Sequence, residues 1–474
     1  MISVSRRSAL GLALAAPFIR PASATTVTGL SVIKRNIEVN GKAASVYGLA
    51  GPDGKAGLTM KFGQPFRVRL TNTLDVETLV HWHGLTPPAT QDGVPGLSQP
   101  VLPPGQSYDY DFPITRSGTH WMHSHVGLQE QQMLAAPLIV HEVDQPLFED
   151  AEHVVMLHDF TFRDPGEILA ELKAGGGGHA MHSMGSSQMN GSGGQSGGMM
   201  MGGMAMLNDI SFDAFLANDR TLDDPEILTV EKGQRLRLRV INGSAASNMW
   251  IDLGGLTGEL IAVDGHAIIP VQGRVFPLAI AQRADIRIEI PNAPGAYPIL
   301  FRPEGLARRT GIVLATAGAR LEKLSPDGEL APALDASLEA ELRAVAQLRD
   351  EPVTRTEIIM LTGGGGDYSW GFNGKAMMHE SLLGVREGER VEVVFHNMTM
   401  MAHPMHLHGH YFKVVEVNGR RFDGAIRDTV LVPPMQTVTI RFDADNPGTW
   451  ALHCHHIYHM NAGMMGTLNY VNAA

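Results

Sequence analysis

The only cysteine of this 474-residue chain lies among histidines near the C-terminus. Residues 453–464 read His-Cys-His-His-Ile-Tyr-His-Met-Asn-Ala-Gly-Met, so Cys454 has no second cysteine with which to form an intrachain disulfide. A thiolate, two imidazoles and a weak axial thioether are the ligands of a blue-copper electron-transfer centre. The stretch therefore indicates electron transfer at copper. The alternative is a buried cysteine among unrelated surface histidines.

The spacing around Cys454 allows one strand to serve two metal sites. Successive side chains of a strand point to opposite faces, so His453 and His455 share one face and Cys454 occupies the other. The backbone of Cys454 would then be a covalent path between a copper on one side and further metal on the other.

Four histidine clusters supply more imidazoles than one ion can use. A single His-X-His pair is weak evidence for a metal, but each pair offers two imidazoles from one face of a strand. Four pairs give eight imidazoles, a number that suits three copper ions held together. His403, Cys454, His459 and Met464 then remain for a separate blue-copper site. The clusters occupy residues 81–83, 123–125, 403–408 and 453–459.

Two repeated patterns predict the elements that position these clusters. Segments 63–72, 233–242 and 388–397 each run from Gly to Asn, around apolar residues that largely alternate with charged ones, as in a half-buried strand. A Pro-Pro turn, a strand and a Gly-Thr pair precede the histidines at 103–125 and again at 433–455. The middle copy, at 282–302, has Leu300 and Arg302 at the histidine positions.

The repeats predict an all-β chain of three tandem β-sandwich domains of one kind, with metal ligands in the first and third only. The limits that we predict are 25–145, 146–320 and 353–474. Residues 321–352 are predicted to be a linker, in which the Ala-, Leu- and Glu-rich stretch 334–348 favours a helix. Abundant glycine and proline with few aromatic residues are also typical of an all-β protein with many turns.

The N-terminus indicates the cellular compartment of the protein, and the net charge disfavours certain binding partners. Arg6 and Arg7 precede a short apolar run and the small residues 22–24, which is typical of a twin-arginine export signal over residues 1–24. That run is too short to span a bilayer, so we predict a soluble periplasmic monomer without membrane insertion, whose mature chain begins near Thr25. A net charge of −12 argues against nucleic acid and anionic lipid as partners.

A glycine- and serine-rich insertion without charged residues, 175–206, interrupts the predicted middle domain. Such a composition contributes little to a core. Soft thioether sulfur selects Cu(I) over harder ions, so we predict transient binding of cuprous ion there. An ordinary flexible loop is the alternative. The methionines concerned are Met181, Met184, Met189, Met199, Met200, Met201, Met204 and Met206.

The four motifs closely resemble those of the three-domain multicopper oxidases, above all the bacterial periplasmic copper-resistance branch, which is related to copper-efflux oxidases and laccases. The resemblance covers essentially the whole mature chain. It implies cupredoxin-like Greek-key domains, four copper ions as cofactors and O2 as the electron acceptor. Two departures leave substrate delivery open: the methionine-rich insertion lies in the second domain instead of the third, and Met460 stands where some relatives carry an acid.

Residue by residue, the resemblance implies a complete set of copper ligands. The type 1 copper would take His403, Cys454, His459 and axial Met464. The type 2 copper would take His81 and His406, and the type 3 pair would take His83, His123, His125, His408, His453 and His455. Asp92 matches an acid that relays protons to dioxygen in relatives, and a turn aspartate before Gly93 is the alternative. Three histidines match no ligand position and are predicted to surround the ligands or to be incidental: His120, His410 and His456.

The resemblance implies an oxidase in which single electrons pass through Cys454 and O2 is reduced to water. We favour Cu(I) as the reductant, because methionines crowd the type 1 ligands as well as the insertion. A laccase acting on phenols or a siderophore is the first alternative. A non-catalytic copper store or structural cell-envelope cupredoxin is the second, and the full ligand set disfavours it; the third repeat disfavours a two-domain nitrite reductase. The crowding methionines are Met398, Met400, Met401, Met405, Met460 and Met465.

Overall fold

Three pairs of β-sheets follow one another along the chain in the computed structural model, which describes residues 27–142, 151–175, 207–349 and 351–471. Those residues form 31 strands and two α-helices. The two sheets of each pair come from one stretch of sequence. The predicted all-β class, with three tandem cupredoxin-like sandwiches, is confirmed.

The first pair of sheets carries two of the histidine clusters. Its strands are β1 (Thr28–Val39), β2 (Lys42–Ala50), β3 (Leu58–Lys61), β4 (Pro65–Asn72), β5 (Val80–His81), β6 (Ser107–Pro113), β7 (Gly118–Ser124) and β8 (Ala135–His141). One sheet has the order β2-β1-β4-β6 and the other the order β3-β8-β7-β5. The second sheet therefore sets the first histidine cluster, at the end of β5, beside the second cluster, at the end of β7.

The second pair of sheets contains none of the predicted ligands. Its strands are β9 (Ala151–Phe160), β10 (Ala214–Ala217), β11 (Glu226–Thr229), β12 (Arg235–Asn242), β13 (Met249–Asp252), β14 (Gly258–Val263), β15 (His266–Gly273), β16 (Val275–Leu278), β17 (Arg283–Glu289), β18 (Ala296–Pro303) and β19 (Thr310–Ala315). The sheet orders are β10-β9-β12-β17-β14-β15 and β11-β19-β18-β13-β16. Helix α1 (Pro165–Lys173) follows β9.

The third pair of sheets carries the other two histidine clusters. Its strands are β20 (Arg355–Gly363), β21 (Trp370–Phe372), β22 (Met377–Val385), β23 (Arg390–Asn397), β24 (His403–Leu407), β25 (Phe412–Val417), β26 (Arg420–Arg421), β27 (Ile426–Arg427), β28 (Thr429–Val432), β29 (Thr437–Asp443), β30 (Thr449–Cys454) and β31 (Met464–Tyr470). The sheet orders are β21-β20-β23-β29-β25-β26, with β27 on β25, and β22-β31-β30-β24-β28. Helix α2 (Ile457–Asn461) lies between β30 and β31.

The repeated Gly-to-Asn segments form equivalent strands for a shared reason. They become β4, β12 and β23, which end on Asn72, Asn242 and Asn397. Each asparagine amide donates to one backbone carbonyl in the loop just after its strand and to at least one carbonyl farther along the chain, and so ties the two segments together. The acceptors are Val76 and Leu102 for Asn72, Ser247 and Leu278 for Asn242, and Met401 and Val432 for Asn397. In the third copy this bond fixes the backbone two residues before His403.

Each sandwich has its own hydrophobic core, and the third core reaches beyond its own sheets. It includes Cys454 and Trp450 together with Ile168 and Leu172 of α1 and Ile210 from the second sandwich. Fully burying an aliphatic side chain contributes about 1.5–3 kcal/mol. Helix α1 and the segment that starts at residue 207 are therefore held against the third sandwich, in the core that contains the cysteine.

The predicted helix at 334–348 is wrong. Only Leu338–Ala340 forms a single 3-10 turn, and the rest of the segment is irregular. Its backbone bonds instead to both neighbouring sandwiches: the amides of Ile269 and Val345 pair with the carbonyls of Arg343 and Ala267, and the amide of Ala344 with Gly424. Leu342 is buried by this arrangement. Tertiary contacts therefore outweigh the helix propensity of the sequence.

Two predictions fall on residues outside the described ranges. These are the export signal at 1–24 and, apart from Gly175, the methionine-rich insertion at 175–206. Within the described ranges, no helix has the length and apolar character needed to cross a membrane.

Candidate metal centres

The sulfur of Cys454 and two imidazoles converge at the end of β30. Cys454 Sγ lies 3.5 Å from His403 Nδ1 and 3.8 Å from His459 Nδ1, and the two Nδ1 atoms are 3.3 Å apart. These side chains are fully buried, as is that of Met464 at the start of β31. A thiol and two imidazoles this close together form a set that can hold a copper ion.

Strand pairing and one short helix assemble this set. Strand β24 pairs antiparallel with β30, which puts Met405 opposite Cys454 and His406 opposite His453. The His456 ring then caps α2, because its Nδ1 accepts a hydrogen bond from the His459 amide. The cap turns the chain back after β30, so that His459 returns to the cysteine five residues before it.

The eight other predicted ligands meet in a second buried cluster. His408 Nε2 lies 3.0 Å from His453 Nε2, and His455 Nε2 lies 3.3 Å from His123 Nε2. The cluster draws four histidines from the first sandwich and four from the third. Triads with nitrogens within 4.8 Å of one another include His81, His83 and His123; His81, His406 and His408; and His125, His408 and His453. The two clusters are joined through adjacent residues, since Cys454 belongs to one and both its neighbours to the other.

The hydrogen bonding of this cluster fits bound metal. Five of its buried ring nitrogens have no hydrogen-bond partner within the described part of the chain: His81 Nε2, His83 Nδ1, His125 Nε2, His406 Nε2 and His455 Nδ1. A buried polar atom left without a partner costs about 1–3 kcal/mol. Several such nitrogens facing one another are therefore expected only where a cation completes the site, and imidazole nitrogen is a ligand that copper accepts.

Burial prepares the imidazoles as ligands. It lowers the pKa of His453 and of His459 to about 3, chiefly because the charged ring is desolvated. The rings are therefore neutral near pH 7, as metal binding requires. Burial has the opposite sign for the thiol and raises the pKa of Cys454. The thiolate thus needs a cation beside it, and metal binding at this sulfur releases a proton.

Asp92, the one carboxylate singled out in the sequence, contacts two of the predicted ligands. Its Oδ2 lies 2.7 Å from His408 Nδ1 and its Oδ1 lies 3.2 Å from His81 Nδ1. The His81 Nδ1 is also 2.9 Å from the Asp92 backbone oxygen. Asp92 is buried directly after the 3-10 helix Ala89–Gln91 and joins a histidine of the first sandwich to one of the third. Its function as a proton relay stays a prediction.

Sequence reasoning missed Asp428, which is anchored by the second sandwich. Asp428 Oδ1 lies 3.0 Å from His83 Nε2, and its backbone oxygen lies 2.8 Å from His406 Nδ1. Arg283, the first residue of β17, donates to both carboxylate oxygens at 2.7 and 2.5 Å. The second sandwich, whose described residues include none of the predicted ligands, thereby supports predicted ligands of the other two. No motif around Asp428 signals this contact, because the partner is far away in sequence.

Sequence reasoning also missed Glu130, a buried residue on the turn after β7. Its Oε2 lies 2.9 Å from His123 Nδ1 and its Oε1 lies 3.7 Å from His455 Nδ1. Burial raises the pKa of this carboxyl group well above its ordinary value. Its position five residues after His125 was an available signal, because a carboxyl group that close to a ligand pair can reach the same rings.

Further side chains cover the outer edge of His459. Its ring stacks between Trp370 and His456, with ring centroids 4.0 and 3.7 Å away. Asp209 lies 3.5 Å from His459 Nε2 and 3.4 Å from His456 Nε2, and it accepts a hydrogen bond from the Tyr368 hydroxyl. His456 therefore belongs to the surroundings of the cysteine cluster. Asp209 was not predicted, since its segment carries no recognisable motif.

The other two unassigned histidines also lie around the clusters. His410 Nδ1 is 3.0 Å from the His408 backbone oxygen and its Nε2 is 2.7 Å from the Tyr470 hydroxyl. His120 is buried, and burial lowers its pKa to about 3. Neither is a member of the three triads described above, and their place outside the ligand set stays a prediction.

Comparison with known proteins defines the class. Multicopper oxidase family models match residues 31–145, 151–319 and 350–474. Multicopper oxidase MmcO of Mycobacterium tuberculosis is 32% identical, over 96% of this chain and 90% of its own length. Copper resistance protein A of Escherichia coli is 27% identical, over 98% and 94%. The chain belongs to the multicopper oxidase family, and the resemblance seen in the motifs is confirmed.

Solved structures agree with this fold. Fet3p, a multicopper oxidase that functions in iron import, superposes with a TM-score of 0.76 at 19% identity, covering 93% of this chain and 90% of Fet3p. The multicopper oxidase of Pseudomonas thermotolerans superposes with a TM-score of 0.69 at 25% identity, covering 94% and 98%. Family membership makes this chain a copper-binding oxidoreductase that uses O2.

Proposed function

We propose that this chain holds four copper ions and oxidises Cu(I) to Cu(II) while reducing O2 to water. The observation that carries the proposal is the convergence of Cys454 with His403 and His459 while its two neighbours join the six other histidines. The type 1 ion would be held by His403, Cys454, His459 and Met464. The type 2 ion would be held by His81 and His406, and the type 3 pair by His83, His123, His125, His408, His453 and His455.

When bound, the copper ions would supply the electron storage that O2 reduction needs. The protein contributes the ligand positions and a dry environment, because both clusters are buried. Cys454 and its neighbours supply a continuous covalent link between the clusters, within residues 453–455. Such a link makes electron exchange between the two sites independent of any mobile carrier.

We propose that Asp92 delivers protons during O2 reduction. Its carboxylate contacts a ring nitrogen of His81 and one of His408, so it reaches ligands of two proposed copper positions at once. Positioned general acids typically contribute 10²–10⁴-fold in rate. Asp428 is less suited to move a proton, because Arg283 holds both its oxygens.

The positions of the exposed methionines favour Cu(I) as substrate. Within the described ranges, every methionine classed as exposed belongs to the third sandwich: Met360, Met378, Met398, Met400 and Met435. Met398 and Met400 are 48% and 41% exposed and flank Thr399, whose Oγ1 lies 2.8 Å from His403 Nε2. Soft thioethers select the cuprous ion. Two accessible sulfurs therefore stand next to a residue in contact with a proposed type 1 ligand.

The covering of the type 1 ligands also favours a small reductant. His403 and His459 are both 0% exposed, and the outer nitrogen of His459 faces Asp209. The described residues therefore offer a phenol no exposed edge of the His403 or His459 imidazole. Helix α1 and residue Ile210, which flank the methionine-rich insertion in sequence, belong to the same core as Cys454. We propose that the insertion delivers cuprous ion to this side of the third sandwich, and that the chain is exported by the twin-arginine route and acts in the periplasm.

Oxygen uptake by copper-loaded protein tests this proposal. We compare Cu(I) with a phenol as reductant for the wild type, the deletion of residues 176–206, the double variant Met398→Leu/Met400→Leu, and the control Met60→Leu in the first sandwich. We expect both altered proteins to lose Cu(I) turnover more than phenol turnover, while the control keeps both. Unchanged Cu(I) turnover beside efficient phenol oxidation without added copper would instead identify a laccase. Copper-loaded protein without a blue absorption band would indicate a non-catalytic copper protein.

A further inference from the structure

Glu130 is a carboxyl group of the second histidine cluster that has no part in the oxidase chemistry described above. Glu130 lies behind two imidazoles whose Nε2 atoms face each other, His123 and His455. Those Nε2 atoms are 3.3 Å apart, while the Nδ1 atoms of the same two rings face Glu130 at 2.9 and 3.7 Å. One carboxyl group therefore contacts the back of two rings whose front nitrogens meet at one point.

The ion-pair contacts of the Glu130 carboxyl group are with the His123 and His455 rings. Within the part of the chain that the structure describes, no lysine or arginine pairs with it, in contrast to Asp428, which Arg283 neutralises. Its Oε1 and the His455 Nδ1 are both buried atoms without a hydrogen-bond partner among the described residues, and the 3.7 Å between them is an ion-pair contact longer than a hydrogen bond. His123 Nδ1 has an additional acceptor, the Ser124 backbone oxygen at 3.1 Å. Glu130 is therefore the carboxyl group that faces His455 Nδ1, whereas His123 Nδ1 lies beside two acceptors.

Hydrogen bonds within the turn hold Glu130 in this position. The turn from β7 to β8 closes with the amides of Met133 and Leu134 bonded to the carbonyls of Glu130 and Gln129. Met133 adopts a φ of 64°, which is a strained conformation for a bulky residue. The Gln129 side chain accepts from the hydroxyls of Thr78 and Ser124 at 2.8 and 2.7 Å. Such a turn fixes the carboxyl group instead of leaving it to the solvent.

We propose that Glu130 is a positioning residue of the trinuclear centre, which accepts from the Nδ1–H groups of His123 and His455 and so directs their Nε2 atoms to one type 3 copper. Metal-ligating histidines usually donate their second ring N–H to a carboxylate or carbonyl, and this bond fixes tautomer and ring orientation. The first and third sandwiches are then coupled at this copper by one carboxyl group that bridges a histidine of each. The inference rests on the proposed copper assignment.

The test compares copper-loaded wild type with Glu130→Ala, Glu130→Gln and the control Asp443→Asn. Asp443 is a buried carboxylate of the third sandwich that accepts from Arg390 at 2.6 and 2.9 Å. We measure the blue type 1 band, the near-ultraviolet band of the coupled type 3 pair, the electron paramagnetic resonance of uncoupled copper, and copper retention against a chelator. Outer partners of metal ligands are typically worth 10–100-fold in metal affinity.

We expect Glu130→Ala to keep the blue band, to lose the type 3 band with a new signal from uncoupled copper, and to retain trinuclear copper about 10–100-fold more weakly. Glu130→Gln should be intermediate, because its amide oxygen can still accept one of the two bonds. An unchanged type 3 band in either variant would overturn the inference while leaving the oxidase proposal intact. Equal loss of the blue and type 3 bands, or the same loss in Asp443→Asn, would also overturn it, since the effect would then be general destabilisation. A wild type without either band would overturn both proposals.

Discussion

Replacing Arg283 by methionine tests how far the second sandwich stabilises the histidine cluster, because the substitution changes none of the predicted ligands. Arg283 is fully buried, donates to both oxygens of Asp428 at 2.7 and 2.5 Å, and donates through Nε to the Thr119 carbonyl at 3.1 Å. Its carboxylate partner lies in the third sandwich and its carbonyl partner in the first. One side chain therefore connects all three sandwiches.

The expected loss in the free energy of unfolding follows from the Asp428 carboxylate, which Arg283→Met leaves unpaired. Methionine fills much of the volume but leaves Asp428 buried without its cation, and breaking a buried ion pair by removing one partner costs about 3–5 kcal/mol. The double variant Arg283→Met/Asp428→Asn removes both charges and should be less destabilised than the sum of the single changes. The matched control is Arg287→Met on the same strand. Its ion pair with Glu259, at 3.5 Å, is partly exposed, and such pairs are worth about 0–1 kcal/mol.

Urea unfolding of the copper-free protein, followed by tryptophan fluorescence, measures these costs. The midpoint should fall clearly for Arg283→Met and little for Arg287→Met. In copper-loaded protein, the type 3 band should weaken in Arg283→Met, because Asp428 contacts His83 Nε2. Equal midpoints for Arg283→Met and Arg287→Met would show that the Arg283–Asp428 ion pair does not stabilise the fold. A double variant whose loss of stability equals the sum of the two single losses would show the same.

Three further outcomes follow from the site. The copper-free protein should lose stability as pH falls from about 6.5 toward 3, because the folded pKa values of His453 and His459 are lowered to about 3 and the unfolded chain takes up protons first; urea midpoints at pH 7 and pH 5 check this. Asp92→Asn should slow O2 consumption by about 10²–10⁴-fold and leave the blue band in place, as stopped-flow absorbance would show. Cys454→Ser should abolish the blue band but retain copper at the eight imidazoles, which metal analysis with paramagnetic resonance can count.

The architecture and the grouping of the histidine pairs could be predicted because both follow from repeated sequence patterns. Asn72, Asn242 and Asn397 end equivalent strands and make equivalent bonds, so the spacing of one copy predicted the others. The histidine pairs fall at strand ends for the same reason. Asp92 could be singled out because it lies close in sequence to His81, whose ring it contacts.

The supporting residues could not be predicted, because their partners are distant in sequence. Asp428 is in contact with Arg283 and with His83, and Asp209 with His459, and each contact exists only after the sandwiches pack together. The stretch 334–348 failed for a related reason. Its composition favours a helix, but its amides and carbonyls find partners on the two sandwiches that it connects. Local propensity cannot register such partners.

A crystal structure of the copper-loaded protein, with anomalous scattering recorded at the copper absorption edge, would locate the copper ions directly. We predict one copper between Cys454, His403 and His459, and three among the eight remaining imidazoles, with His453 and His455 bound to ions of the second group. Copper bound only elsewhere, or a Cys454 sulfur without copper beside a filled histidine cluster, would contradict the proposed division of four copper ions between the two clusters.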